Sequence, residues 1–329
     1  MRSPGTVTRR EFGALSAGAV LAAAGCRAAP YRRGDFARAD ESPVVALAAA
    51  DYSVDFADLI TRGLRELRVN LLGRRVLLKP NLVEYEPGTV INTHPSVVIG
   101  AAVACRRLGA REVMVAEGPG HRRDLEYLLG STGLLEELES ERVPFVDLNH
   151  DDVEAVPLRS WFTTLGELAL PQSLLRADII VSMPKLKTHH WAGVTCSMKN
   201  LFGVVPGAVY GWPKNVLHFQ GIHESILDIV ATVRPHLAIV DGVVGMEGDG
   251  PIMGTARAAG VLLLGRDLVA VDATAARVMG LRPERIHYLA EAGRFLGHLD
   301  ASRIPMRGER IERFVTPFAV LPAFAALRA

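Results

Sequence analysis

The sequence predicts an α/β protein in which a mostly parallel sheet is flanked by helices. Apolar runs of strand length alternate with stretches of helical periodicity, which is the rhythm of βαβ units. The 329 residues are 49% hydrophobic and 22% charged, so the chain can bury a large core. Polar or glycine residues directly follow two of the apolar runs, which is where parallel sheets place their ligand sites.

The predicted elements follow one another in a regular order after residue 43. Strands are predicted at residues 43–50, 75–83, 112–116, 178–183, 236–244 and 260–264. Helical spacing predicts helices at residues 54–71, 95–108, 122–129, 134–141, 218–233, 268–279 and 283–296. Residues 145–170 contain short apolar runs, which predict a small antiparallel insertion and leave a division into two subdomains open. The apolar stretch after Pro317 fits neither pattern.

The first 29 residues have the layout of a twin-arginine export signal. Arg9 and Arg10 precede Phe12, and residues 13–25 carry no charge. The export machinery reads such a signal, and the apolar stretch is shorter than the roughly 20 residues of a stable membrane span. Residues 30–42 are rich in Arg, Asp, Pro and Gly and predict a solvated tether to a folded domain at 43–329. We therefore expect a protein of the periplasm or the cell surface.

The end of this leader has two interpretations. Small residues precede Cys26, as they do at a lipoprotein processing site, but Ala23 stands where a larger aliphatic residue is usual. Lipidation of Cys26 and simple cleavage among the alanines both remain open. A lipid on Cys26 is the only membrane contact that the sequence predicts, and one acyl chain alone binds a membrane reversibly.

Charge and cysteine content exclude several classes of function. The formal net charge of +1 gives no general attraction to nucleic acid or to an anionic membrane. The three cysteines, Cys26, Cys105 and Cys196, lack close spacing, which argues against an iron–sulfur cluster bound by this chain alone. Because twin-arginine export carries folded proteins, a metal ion or an organic cofactor remains open.

Residues 183–207 concentrate chemically active side chains. The segment begins at a predicted strand end and lacks helical or strand periodicity, so it is predicted to be a loop. Its Trp, Phe and Val residues argue against disorder. Lysines in an ordered loop can bind phosphate or carboxylate, and a buried lysine can serve as a base. A solvated cationic loop is the alternative interpretation.

Several runs of sequence resemble one known family, in the same order along the chain. They are KPNLV at 79–83, THPSVV at 93–98, LGAREVMVAEGPG at 108–120, ADIIVSMPKLKTHHWAGVTCSMKNLFGVVPG at 177–207, DGVVGMEGDGPIMG at 241–254 and LVAVDATAARVMGL at 268–281. On these runs the chain resembles domain-of-unknown-function family 362. The resemblance implies no particular reaction. Many members carry a ferredoxin-like segment with clustered cysteines that has no counterpart in this sequence, which leaves a redox role open.

The resemblance and the strand-end positions together mark a candidate site. The residues expected to transfer a proton are Lys187, Lys199 and His189. The residues expected to bind the substrate are Lys79, Asn81, Lys185, Asn200, Gly118 and Gly120. The residues expected to hold a metal are Glu117, Asp241 and Glu247.

Some of these positions also have structural alternatives. Glu247 lies in a glycine-rich run that fits a tight turn as well as a cation site. Gly118 and Gly120 separate a strand from a helix, whose amino terminus can bind an anion. Asp272 lies on an apolar helix, and we expect a lysine of segment 183–207 to pair with it because an unpaired buried carboxylate is costly.

These features predict an exported enzyme that acts on a small anionic substrate through a lysine-rich site at the strand ends. The alternative is a non-catalytic ligand-binding or redox-accessory protein of the same compartment. Turnover of a bound anion would favour the enzyme, whereas reversible capture of an unchanged ligand would favour the alternative.

Overall fold

The computed structural model describes residues 28–120 and 124–328. Arg9, Arg10 and Cys26 lie outside these residues, so the export signal and the lipid attachment stay predictions. Within the described ranges, no helix is both long enough and apolar enough to cross a membrane.

Twelve strands form the β-structure of the described residues. They are β1 (Val44–Ala48), β2 (Arg75–Pro80), β3 (Glu112–Glu117), β4 (Phe145–Asp147), β5 (Val153–Pro157), β6 (Glu167–Pro171), β7 (Ile179–Met183), β8 (Lys185–His189), β9 (Gly193–Thr195), β10 (Leu237–Glu247), β11 (Thr255–Gly265) and β12 (Met306–Gly308). Ten of them belong to one sheet, in which eight have the order β12-β1-β11-β10-β7-β2-β3-β4.

The sheet is mostly parallel, as the sequence predicts. The five neighbouring strands β10, β7, β2, β3 and β4 all pair in parallel. β11 is antiparallel to β1 and to β10. Its pairing with β10 is antiparallel because the two strands are the arms of a hairpin. β8 leaves the main order, pairing with β10 on one side and with β9 on the other.

Helices cover both faces of this sheet. They are α1 (Phe56–Glu66), α2 (Pro95–Arg107), α3 (Leu125–Ser131), α4 (Leu134–Ser140), α5 (Gln172–Leu175), α6 (Ser197–Asn200), α7 (Gly207–Tyr210), α8 (Asn215–Phe219), α9 (Ile222–Val233), α10 (Leu268–Val278) and α11 (His287–Ala292). The predicted helix at 218–233 is divided into α8 and α9, because Gly221 has a φ of +98° that a helix cannot contain.

Two hydrophobic cores result from the alternation of side chains along the strands. In β2, Val76 and Leu78 belong to the core under α1 and α2, whereas Leu77 belongs to the core under α9 and α10. β1 divides in the same way. Because successive side chains of a strand point to opposite faces, strands that are apolar throughout require helices on both sides.

Residues 183–207 are not the aperiodic loop that the sequence predicts. They form the β8–β9 hairpin, the short helix α6 and a 3₁₀-helix at Leu201–Val204. Every residue of β8 is buried, including its lysines. The pattern gave no strand signal because strand periodicity assumes that polar side chains face solvent, whereas these face the protein interior. The predicted antiparallel insertion is present as the β5–β6 hairpin.

The segments at both ends of the described chain pack on the domain. Residues 30–42 are not a solvated tether, because the Tyr31 ring stacks on Phe295 with 4.0 Å between ring centroids. Aromatic residues anchor this otherwise polar segment. After Pro317, Phe318 is fully buried, and the backbone carbonyl of Ala319 accepts a hydrogen bond from Gly248. The C-terminal stretch therefore covers the far end of β10.

Candidate functional site

A cavity of about 380 Å³ opens at the carboxyl ends of β2 and β3. β8, β9 and α6 form another part of its wall, and the segments around residues 202–218 and 251–252 complete it. The strand-end position follows from parallel pairing, since the ends of parallel strands meet at one edge of the sheet. Trp191 lines the cavity and is 57% exposed, so the opening has an aromatic rim.

Lys79 and Glu117 form a buried ion pair in the cavity wall. Lys79 Nζ donates to Glu117 Oε2 over 2.7 Å, to Asn200 Oδ1 over 3.0 Å and to the Pro80 carbonyl over 2.9 Å. Glu117 also accepts from the backbone N–H groups of Leu82 and Gly118. These contacts satisfy the ammonium group and give the carboxylate three donors, so the pair joins β2, β3 and α6.

The ion pair depends on a glycine that the sequence did not single out. A Cβ atom at Gly203 would overlap Glu117 Oε1 and Lys79 Nζ. The backbone of Gly203 is also joined to β3, because Gly118 N donates to its carbonyl over 3.0 Å. The absence of a side chain at residue 203 therefore lets the 201–204 turn lie directly against the buried charges.

The five lysines of the chain all lie at this edge of the sheet. The sequence has 32 arginines but only five lysines: Lys79, Lys185, Lys187, Lys199 and Lys214. Four of them line the cavity, and Lys185 lies behind its wall. The positively charged side chains on the surface of the described residues are arginines, and the lysines are confined to the site. The two side chains are not equivalent in a buried site, because a guanidinium group is larger than an ammonium group and does not lose its proton.

Lys187 and Lys214 are held by backbone carbonyls. Lys187 Nζ donates to Ile91 over 2.8 Å and to Pro251 over 3.2 Å. Lys214 Nζ donates to three carbonyls, those of Gly118, Phe202 and Val205. Burial lowers the pKa of Lys187 well below its usual value and lowers the pKa of Lys214 to about 7. Within the described residues, neither ammonium group contacts a carboxylate.

Lys199 differs from the other cavity lysines. Its Nζ lies 3.8 Å from the centroid of the Phe202 ring and has no hydrogen-bond acceptor among the described residues. Burial lowers the pKa of Lys199 to about 7, and the positive charge of Lys79 contributes to the same shift. The amine is therefore available to whatever enters the cavity.

The bonding of His189 fixes its tautomer. Its Nδ1 accepts hydrogen bonds from the backbone N–H groups of Trp191 and Ala192, over 3.0 and 3.2 Å. Burial lowers the pKa of His189 well below its usual value, and the charge of Lys199 lowers it further. The ring is therefore neutral, and the hydrogen-bond pattern assigns its proton to Nε2. In this state His189 is a hydrogen-bond donor and not the base that was one of the sequence predictions.

Two buried oxygens on the cavity wall have no hydrogen-bond partner in the described structure. They are Asn81 Oδ1 and Thr195 Oγ1, on residues that are 8% and 3% exposed. Both residues line the cavity. Because a buried polar atom without a partner costs free energy, these oxygens are suited to a ligand that supplies donors.

Lys185 and Asp241 lie behind the cavity wall. Lys185 Nζ lies 2.6 Å from Asp241 Oδ2 and 2.8 Å from the Tyr52 hydroxyl. Asp241 also accepts from the backbone N–H of His94, at the start of α2. Neither member of the pair lines the cavity. The geometry thus makes them a connection between β8, β10 and α2, and separates them from the predicted substrate and metal roles.

The three predicted metal ligands are not brought together. Glu117 is bound to Lys79, Asp241 to Lys185, and Glu247 Oε2 to the backbone N–H of Ala319. Among residues 28–120 and 124–328, no group of three His, Cys, Asp or Glu side chains is placed to hold a metal ion. Each carboxylate instead accepts a hydrogen bond from a neighbouring donor. The sequence could not predict these donors, because they come from parts of the chain that only the fold brings together.

Two further expectations are corrected by hydrogen bonding. Asp272 does not pair with a lysine: it accepts from the backbone N–H groups of Ser197 and Met198 and so caps α6. Burial raises the pKa of Asp272 to about 6. The amino terminus of α3 is not open to an anion after Gly120, because Asp124 already caps it at Tyr127 N. Gly118 and Gly120 line the cavity through their backbone.

The structure adds residues that sequence reasoning missed. Lys214, Thr195 and His218 line the cavity beside the predicted residues. The rarity of lysine was the available signal for Lys214, because every other lysine had already been assigned to the site. Nothing in the local sequence distinguishes Thr195, whose role follows only from its position on β9.

The described residues thus form a mostly parallel α/β fold with a lysine-lined cavity at the ends of its strands. The chain belongs to the family described as "Domain of unknown function (DUF362)", which matches residues 76–277. This confirms the family that the sequence resembles.

Relatives and solved structures extend the comparison. The thylakoid-associated protein sll1697 of Synechocystis sp. is 30% identical over 226 residues, which cover 66% of this chain and 67% of the relative. The lactate racemase apoprotein of Thermoanaerobacterium thermosaccharolyticum has a TM-score of 0.42 and 14% identity. The alignment covers 66% of this chain and 54% of the racemase chain. A protein of Thermotoga maritima has a TM-score of 0.34 and 12% identity, and the alignment covers 65% of this chain and 56% of the Thermotoga chain. This chain therefore matches little more than half the length of each solved structure.

Proposed function

We propose that this protein is an enzyme that binds a small organic anion in the cavity and uses Lys199 to transfer a proton. The observation that carries the proposal is the excess of ammonium groups around one enclosed volume. Four lysines line the cavity, and Glu117 is the one carboxylate among the residues that line it in the described structure.

The charges of the wall support binding of an anion. Glu117 is already neutralised by Lys79, which leaves Lys187, Lys199 and Lys214 without a carboxylate partner in the described residues. Protonating all three would be costly in a site with few counter-charges, unless an anion enters. A carboxylate or phosphate group supplies the missing negative charge and accepts hydrogen bonds from the ammonium groups.

The state of Lys199 supports proton transfer. A general acid or base works best when its pKa lies near the working pH, and the pKa of Lys199 is lowered to about 7. Neutral His189 can donate from Nε2 to an oxygen of the ligand. Lys199 thus takes the proton-transfer role, and His189 the role of positioning and polarising the ligand.

Anion binding can be tested by calorimetry with inorganic phosphate and with small mono- and dicarboxylates. Lys199→Met should weaken binding about tenfold or more, because a hydrogen bond to a charged group contributes about 1.5–3 kcal/mol. Lys199→Arg should retain part of the affinity. Arg310→Met, which removes a highly exposed cation, is the matched control. Equal affinity in all four proteins would contradict the proposal.

Turnover can be tested by incubating the protein with a small-molecule extract and following the composition by mass spectrometry. We expect one or more organic anions to be depleted by the unmodified protein and by Arg310→Met, but not by Lys199→Met. Capture of an anion without any conversion would instead favour a non-catalytic binding protein.

We also propose export by the twin-arginine route, with the folded domain held near a membrane. Support comes from the order of segments around Arg9 and Arg10, and from Cys26 as a lipid acceptor. The name of the Synechocystis relative associates that protein with thylakoids, which is in keeping with a position beside a membrane. Radiolabelled fatty acid should label the unmodified protein and not Cys26→Ser, and equal labelling would contradict the anchor.

A further inference from the structure

We propose that Lys199 forms an imine with a carbonyl-bearing organic anion, such as a 2-oxo acid or an aldehyde acid. The inference rests on the proposed function, because it assigns a substrate class and a covalent step to the same cavity. It differs from proton transfer alone, since the amine nitrogen here becomes bonded to the substrate.

The hydrogen bonds of the five lysines single out one nucleophile. Lys79 and Lys214 each donate to three acceptors, and Lys185 is bound to Tyr52 and Asp241 behind the wall. Lys187 donates to two carbonyls, and its third N–H, which is present when the amine is protonated, is left for an anion. Lys199 donates to no acceptor within the described residues, and its Nζ lies against the face of Phe202.

The surroundings of Lys199 favour the uncharged amine that such a reaction requires. An amine attacks a carbonyl carbon only after it has lost its proton, and desolvation beside other cations promotes that loss. Lys199 lies in a wall shared with Lys79, Lys187 and Lys214, and the aromatic face beside it offers no hydrogen-bond acceptor. The lowered pKa of Lys199 agrees with this arrangement.

The neighbouring groups match the other parts of the substrate. The remaining N–H of Lys187 can hold the carboxylate, and His189 can donate from Nε2 to the carbonyl oxygen. The carbinolamine that forms first carries new O–H and N–H donors. Asn81 Oδ1 and Thr195 Oγ1 are buried acceptors without partners on the same wall, so they can receive these donors.

The step is balanced without an oxidant or a reductant. The neutral amine of Lys199 forms a C–N bond to the carbonyl carbon, the C–O π bond breaks, and a proton moves from nitrogen to oxygen. The carbinolamine then loses its hydroxyl group and the remaining nitrogen proton as water, which leaves the imine. Water therefore reverses the reaction, and the adduct accumulates only when it is trapped.

Trapping with glyoxylate and cyanoborohydride tests the proposal on the full-length protein. Glyoxylate is chosen because it is the smallest aldehyde acid and enters any cavity that admits an organic anion. Hydride reduction of the imine leaves one carboxymethyl group on nitrogen, which intact-mass measurement detects. The five lysines and the α-amine are the primary amines of the chain. Digestion at arginine separates Lys79 from the other four lysines, which share the peptide at 177–234, and fragmentation of that peptide by tandem mass spectrometry assigns the adduct to one of them. We expect one adduct per chain, on Lys199.

Two controls separate this inference from the proposed function. Lys199→Arg keeps the positive charge but should lose the adduct, and inorganic phosphate should compete with glyoxylate for the unmodified protein. Calorimetric binding of phosphate without any adduct on Lys199, or with an adduct confined to another amine, would overturn the imine and leave anion binding intact. Failure to bind phosphate as well as failure to form the adduct would overturn both proposals.

Discussion

Lys79 Nζ and Glu117 Oε2 lie 2.7 Å apart at the carboxyl ends of two adjacent parallel strands. Each side chain is 1% exposed, and Asn200 of α6 accepts a further hydrogen bond from Lys79. The two residues are 38 positions apart in the chain, and the pairing of β2 with β3 brings them together. This ion pair forms part of the cavity wall.

Removing one partner of this pair should cost more stability than removing both. Glu117→Gln leaves Lys79 buried without a counter-charge and should lower the free energy of unfolding by about 3–5 kcal/mol. The double variant Lys79→Met/Glu117→Leu should lose less, because no charge is left uncompensated. Chemical denaturation measures both, and Glu141→Gln at an exposed ion pair is the control. A double variant that is less stable than Glu117→Gln would contradict this expectation.

The close packing at Gly203 gives a second prediction. Gly203→Ala places a Cβ atom against Glu117 and Lys79, and should lower the free energy of unfolding by about 1–3 kcal/mol, the usual cost of overpacking a core. Gly120→Ala is the matched control, because a Cβ atom there meets no atom within 4 Å among the described residues. Thermal unfolding should separate the two variants, and equal midpoints would contradict the packing argument.

The lowered pKa of Lys199 predicts a pH dependence of stability. The folded state releases the proton near pH 7, whereas an unfolded lysine keeps it to about pH 10.4, so the unfolded state binds more protons in between. Burial of Lys199 therefore destabilises the protein most below pH 7, and stability is regained as the pH rises from 7 towards 10. The expected gain is about 1.4 kcal/mol per pH unit for one proton.

Denaturation curves at several pH values should show this contribution as a difference between proteins. Between pH 7.5 and 9.5, the free energy of unfolding of Lys199→Met should rise less steeply with pH than that of the unmodified protein. The difference in slope should correspond to at most about one proton. Arg310→Met should follow the unmodified protein. Parallel curves for Lys199→Met and the unmodified protein would show that Lys199 has an ordinary pKa.

The Lys185–Asp241 pair should affect folding and not ligand binding. Asp241→Leu leaves Lys185 buried and charged, and should lower the free energy of unfolding by about 3–5 kcal/mol. The double variant Lys185→Met/Asp241→Leu should recover part of that loss and bind phosphate as tightly as the unmodified protein. Calorimetry on the double variant measures this affinity, and a large loss would show that Lys185 contributes to binding after all.

The paired arginines of the leader should be required for export. Arg9→Lys/Arg10→Lys keeps the charge but removes the guanidinium groups that the export machinery reads, so the protein should accumulate in the cytoplasm. Cell fractionation and immunoblotting measure the distribution. Arg32→Lys/Arg33→Lys, which changes a later arginine pair, is the control. Undiminished export of the first variant would exclude the twin-arginine route.

Much of the fold could be predicted because strand and helix periods are local properties of the sequence. The apolar runs at 75–83 and 178–183 gave β2 and β7, and their parallel pairing followed from the intervening helices. The β8–β9 hairpin could not be predicted in this way. Lys185, Lys187 and His189 are buried on β8, and the side-chain period carries no apolar signal when both faces of a strand are buried.

The sequence by itself determined which residue types the site contains, and the family runs placed Lys79, Glu117, Lys187 and Lys199 in it. Only the tertiary structure decided what each one does. Lys79 and Lys185 are bound to carboxylates, Lys214 is bound to carbonyls, and Lys199 lies against the Phe202 ring without an acceptor among the described residues. The physical reason is that burial and hydrogen-bond partners set the charge and reactivity of an amine, and those partners come from strands and turns far apart in the chain.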